Sequence, residues 1–141
     1  MNKKAESFKK ALDEKKINDF SVEELKDDEL HTVLFRSKLV ITGTEFNTIF
    51  VLDDSVYSMI RVFIAPNAVN EKNKNALYTL LNEYNGSYKA FKYVIDTEGN
   101  ITLDLCIINE TDTVNLDLVY ALYDTIITHL NDNYKQIVNA F

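Results

Sequence analysis

The chain has 141 residues, a formal net charge of -7 and one cysteine. Hydrophobic residues make up 46% and charged residues 26% of it, a balance that suits one globular domain over residues 1–141, with a core large enough to need no disulfide or metal staple. The acidic excess argues against a nucleic-acid partner, since duplex binding is driven by Lys and Arg neutralising phosphates, and no apolar run approaches the roughly 20 residues of a membrane span.

Cys106 alone cannot form an internal disulfide, which fits a reducing compartment. The opening MNKKAESFKKALDEKK lacks the apolar centre of a signal peptide, so a cytoplasmic location is expected. Its lysine pairs, Lys3-Lys4, Lys9-Lys10 and Lys15-Lys16, sit among acids and make no evident basic patch. Frequent Asn, Lys and Ile suggest an AT-rich bacterial or phage genome.

Residues 2–16 read as a polar helix with an apolar stripe of Ala5, Phe8, Ala11 and Leu12. Ser21-Val22-Glu23-Glu24 has the S-x-x-E form of a capping box and predicts a short helical turn through residue 29. From His31 the hydrophobic period changes to two. Residues 32–42, 44–52 and 56–65 read as three antiparallel strands, joined at Gly43 and at Asp53-Asp54-Ser55 and stopped by Pro66. Residues 70–85 read as a helix carrying Leu77, Leu80, Leu81 and Tyr84, with Asn70 as N-cap and Asn85-Gly86 as its end. Residues 88–96 and 100–108 alternate around Thr97-Glu98-Gly99-Asn100 as a hairpin. Phe91, Tyr93 and Ile95 are expected to face the helices together with Leu103 and Leu105. Residues 115–137 form the last helix, with Val119, Leu122, Tyr123, Ile126, Leu130, Tyr134 and Ile137 as its buried stripe. The order α-βββ-α-ββ-α predicts an α+β fold, an antiparallel sheet with helices packed on it.

Few residues carry a chemical signal. His31 and His129 have no partner at metal-ligand spacing and read as surface or satisfied histidines. Cys106 has no adjacent base and reads as a small, partly buried apolar residue. Asp53-Asp54 and Asp112 read as turn and loop acids, since no calcium-loop spacing surrounds them. The three glycines, Gly43, Gly86 and Gly99, fall at turns and a helix end, and no phosphate-cradling loop is present. No catalytic, cofactor or metal residue is assigned.

One feature exceeds this bland picture. In residues 56–65, Val56, Ser58, Ile60, Val62 and Ile64 share one face, and Tyr57, Met59, Arg61 and Phe63 share the other. In residues 44–52, Ile49 and Val51 oppose Phe46, Phe50 and Leu52. A wet sheet face should be polar. The second face is therefore expected to be covered, either by a helix of the same chain or by another chain. Tyr57, Met59, Arg61 and Phe63 have the composition of an interface core.

The run L-x-x-L-L-N-E-Y-N at residues 77–85, Tyr88, Phe91-Lys92-Tyr93, the D-x-x-G turn from Asp96 to Gly99, and Leu103 resemble the YbjN-like bacterial proteins. Phe35-Arg36-Ser37, Leu39 and Val51-Leu52-Asp53-Asp54-Ser55 resemble that family's first strands. The likeness spans roughly residues 30–140. It implies the fold of type III secretion chaperones, which are small acidic cytoplasmic dimers that bind protein segments and catalyse nothing. It carries over no catalytic residue and no secretion role. The expected function is thus a non-enzymatic protein-binding module, chaperone-like or an adaptor. It would act as a homodimer, with an interface across the second helix and the strand at residues 88–96. The alternatives are a phage-encoded or bacterial inhibitor of a host protein, or a ligand-binding domain with a pocket that no motif marks.

Overall fold

Alternation with a period of two sets the sheet. In the computed structural model, which describes residues 1–141, the chain runs α1 (Lys3–Glu14), β1 (Ser21–Glu24), β2 (Val33–Ile41), β3 (Thr44–Leu52), β4 (Tyr57–Ala65), α2 (Lys74–Ser87), β5 (Lys92–Ile95), β6 (Ile101–Ile108) and α3 (Leu116–Asn139). The six strands form one antiparallel sheet in the order β1-β2-β3-β4-β6-β5. The expected α+β class, with helices packed on an antiparallel sheet, is what forms.

The helices share one side. Phe35, Phe50, Ile60 and Leu105 stand in register across β2, β3, β4 and β6, and all four are buried. Phe8 of α1 places its ring edge-on, 4.9 Å from both Phe35 and Phe50. Tyr134 of α3 meets Phe46 at 4.9 Å, and Tyr84 of α2 meets Tyr93 at 5.9 Å. One cluster of 28 buried apolar residues results. As expected, Phe91, Tyr93, Leu103 and Leu105 are buried in it, and Ile95 packs on it. In α3 Val119, Tyr123, Ile126, Leu130 and Ile137 are buried, while Leu122 and Tyr134 are partly so.

Several boundaries differ from the sequence-based expectation. Ser21–Glu24 is a strand, not a capped turn: Val22 pairs with Phe35, and Glu23 with Leu34. Arg36 adds two hydrogen bonds to Glu23 Oε2, at 3.0 and 2.8 Å. Long-range pairing overrides the local capping signal, and the first meander has four strands. Helix α2 starts later, at Lys74. Asn70 does not cap it; its Oδ1 accepts from the N–H groups of Lys72 and Asn73 in the preceding turn. Gly86 does not end α2. It keeps a negative φ and the helix continues to Ser87. Val56 falls outside β4 and is exposed.

The turns at Gly43 and Gly99 do use left-handed backbone. Thr42 and Gly43 have φ of 49° and 80°, the two-residue turn whose twist suits a β-hairpin. Gly99 has φ of 81°, and a Cβ there would meet the Val69 carbonyl oxygen at 2.5 Å. The Gly99 carbonyl accepts from the N–H groups of Ala68 and Val69, so the hairpin tip is fastened to the chain entering α2.

His129 is buried under an aromatic box of Tyr84, Tyr88, Phe91 and Tyr93, with ring centroids 4.5 to 5.7 Å away. Asn133 Nδ2 donates to its Nδ1 at 3.2 Å and to its carbonyl at 3.0 Å. Nδ1 is therefore the acceptor, and Nε2–H donates to Tyr93 Oη at 2.7 Å. Burial lowers its pKa to about 4, against the opposing charge of Asp132.

The unfolded chain, with an ordinary histidine, binds a proton more readily than the fold does. Stability from this site is full above about pH 6.5 and is lost as pH falls toward 4. Denaturant titration should show about 2 kcal/mol less stability at pH 5 than at pH 7 from this group. A His129→Phe variant that keeps the same slope over that window would refute the assignment. Gly99→Ala should lower stability by at least about 1–2 kcal/mol, read as a fall in thermal midpoint; an unchanged midpoint would show that the loop at Val69 yields freely.

Candidate functional site: the uncovered face of the sheet

The residues that alternate away from the helices lie on a face that no helix of the chain covers. In cross-strand register they form rows. One is Leu34, Val51, Met59 and Cys106. The next is Arg36, Ile49, Arg61, Asp104 and Lys92. Tyr57 pairs with Ile108 at one end, and Phe63, Thr102 and Val94 make a row toward the other.

The four residues singled out from sequence are brought together here on consecutive outward positions of β4. Tyr57 is 56% exposed and Phe63 41% exposed, while Met59 and Arg61 between them are half-buried by their neighbours. Ile108 is 70% exposed and Val40 68%. These are large apolar side chains in water, and neighbouring ones make a patch of the kind that marks contact surfaces.

A charge pair divides the patch. Arg61 Nε and Nη2 donate to Asp104 Oδ1 and Oδ2, each at 2.8 Å. This forked geometry is the strong form of the Arg–carboxylate bond. The hydrogen bonds that Arg61 donates to Asp104 raise the guanidinium pKa further above its usual value. The pair ties the long Arg61 side chain to β6 at two points, so it is pre-ordered on this face.

Sequence reasoning found the β4 part of this face and also Ile49 and Val51. It missed Leu34, Val94 and Ile108, whose strands look one-sided until their register with β4 is known. Cys106 corrects an expectation: it is exposed, because it lies on this face beside Met59 and not in a half-covered interior. His31 is a surface histidine whose Nδ1 lies 2.6 Å from Asp54 Oδ2, and His129 is the satisfied core histidine described above. No three of the His, Cys, Asp and Glu side chains converge as a metal-binding group, and no helix is long and apolar enough to cross a membrane. In comparisons with known proteins, no family model matches the chain and no curated protein matches its sequence.

The two faces of β4 should respond differently to truncation. Ile60→Ala, on the helix side, should cost about 2–5 kcal/mol. Arg61→Ala, one residue along, should cost about 1 kcal/mol or less, because its ion pair is partly open to water. Urea unfolding of both variants checks this, and equal losses would mean that the outward face is covered after all.

Proposed function

We propose that this chain is a non-enzymatic protein-binding module, chaperone-like or an adaptor. It holds an apolar segment of a partner protein against the uncovered sheet face at Tyr57, Met59, Arg61 and Phe63. The observation that carries this reading is the one-sided packing: three helices on one face, and exposed aromatic and aliphatic side chains around a fixed Arg–Asp pair on the other. Aromatic residues, Met and Arg are enriched at interface cores, and a pre-ordered Arg loses less freedom on binding. The YbjN-like resemblance, with its type III secretion chaperone-like fold, supports the same reading and adds a homodimer in the cytoplasm. No catalytic residue, cofactor, nucleic acid or membrane enters it.

Met59 is the most informative position, because it is half-buried at the middle of the patch. A tagged chain and its Met59→Asp variant, both checked for cooperative unfolding, should be recovered from native cells and their co-purifying proteins compared. One dominant partner reduced about tenfold or more in the variant is expected, since a carboxylate buried in an apolar contact is costly. An unfolded variant would instead show that Met59 belongs to the core. Sedimentation of the wild type tests the dimer: a strict monomer at micromolar concentration removes that part of the proposal.

A further inference from the structure

The sheet has two edges, and they are finished differently. At the β5 edge, Asn85 of α2 stands in for a neighbouring strand. Its Oδ1 accepts from Tyr93 N–H at 2.6 Å and its Nδ2 donates to the Tyr93 carbonyl at 3.2 Å. At the other edge, β1 covers β2 only from Val33 to Arg36. Before Ser21 the chain turns away to pack Phe20 against the core, 5.5 Å from Phe8 and 6.4 Å from Tyr123. From Ser37 to Val40, β2 has β3 on one side and no backbone partner on the other.

A cavity of about 1110 Å³ lies along this bare edge and wraps around it. Ser37 and Leu39 line it from the helix side, and Arg36 and Lys38 from the uncovered face. Lining that alternates between the two faces of one strand is the space an added strand occupies, with its own side chains going alternately to each side. On the helix side the cavity reaches Tyr123, which is 4% exposed. Its buried hydroxyl lies against the Ser37 and Thr48 hydroxyls without meeting either in good hydrogen-bond geometry. The neighbouring Ser37 and Thr48 hydroxyls bond each other at 2.7 Å. Burial pushes the Tyr123 phenol up to about 12, with Thr48 and Ser37 opposing, so it stays a neutral donor and acceptor.

Charge selects the occupant. Asp19 and Asp124 line the same cavity, and neither belongs to an ion pair. The cations there are already engaged, Arg36 with Glu23 at 2.8 Å and Lys38 with Glu45 at 3.6 Å. A second copy of this chain pairing along the same edge would bring its own Asp19 and Asp124 to acids of the same sign. A cation is what the site lacks.

We propose that an extended segment of another protein adds as a strand to β2 at Ser37–Val40. It carries a Lys or Arg directed toward α3, where the aliphatic stem lies on Leu39 and Ile127 and the charge answers Asp19 and Asp124. Backbone pairing supplies affinity for any extended segment, and the acids supply the choice of a basic one. The cavity also touches Ile49 and Phe63 and so adjoins the outward face, but Met59 does not line it, and the proposal does not rest on what the outward face binds.

Selection from a random peptide library against the immobilised full chain tests the proposal. The recovered peptides should share a Lys or Arg with apolar residues two positions away. A synthetic peptide of the recovered sequence should slow hydrogen exchange of the Lys38 and Val40 amides, which alternate away from β3. Asp19→Asn with Asp124→Asn, both exposed sites, should weaken that peptide about tenfold or more. Met59→Asp should bind it unchanged. Failure to enrich any peptide, enrichment without a cation, or equal binding by the double Asn variant would overturn the proposal. So would Lys38 and Val40 amides already protected in a dimer of the free chain, since the edge would then belong to a second copy.

Discussion

A strand delivers every second side chain to each side of its sheet, and this chain has helices for only one side. That constraint shapes the rest of the structure. Phe8, Phe35, Phe46 and Phe50 are all fully or nearly fully buried on the helix side. Burying a side chain of this size contributes roughly 1.5–3 kcal/mol, so the core is served well by α1, α2 and α3 together. The outward residues receive no such cover. Leu34, Ile49, Val51 and Met59 nevertheless stay apolar at those positions. Stability of the free chain does not require this, because a polar outward face would leave the same core intact.

The N-terminus shows how firmly the helix side is closed. Asn2 caps α1 by accepting from Ala5 N–H at 2.8 Å, and its amide donates to the carbonyls of His31 and Leu52, each at 2.8 Å. Lys4 is buried and donates to the carbonyls of Ser55 and Tyr57 at 2.7 and 2.9 Å. Burial lowers its pKa, with Asp53 opposing. A buried ammonium is tolerated only when its donors are met, and here they are met by the turn that connects β3 to β4. Helix α1 is thus tied to the strand that carries Tyr57 and Met59, so the uncovered face is held by a rigid layer behind it.

Much of this was legible in the residues. Strict alternation in Ile101, Leu103, Leu105 and Ile107 leaves one assignment open for β6, and all four are buried. Tyr57, Met59, Arg61 and Phe63 were separable from Ser58, Ile60, Val62 and Ile64 for the same reason. What could not be read depends on contacts far apart in sequence. Ser21-Val22-Glu23-Glu24 satisfies a helix-cap pattern and a strand equally well, and only Arg36 and Phe35 decide between them. Asn85 looked like part of a helix stop, but its amide is used to close β5. Tyr123 belongs to an apolar stripe by spacing; that its hydroxyl ends beside Ser37 and Thr48 is seen only once α3 lies over β2.

Face and edge make different physical demands on a partner. The face has its central charges already paired, so it favours apolar area and shape, and discriminates weakly among apolar partners. The edge offers backbone groups of fixed direction beside unpaired carboxylates, so it favours an extended segment of one polarity and one sign of charge. Bare edges invite unwanted pairing, and folded proteins usually block them. Here the β5 edge is blocked by a dedicated asparagine and half of β2 by a four-residue strand. The remaining length of β2 is bordered by Asp19 and Asp124, which repel another copy of the same acidic chain. A negative border leaves the edge open while disfavouring pairing of two copies along β2, which is the arrangement the proposed basic strand requires.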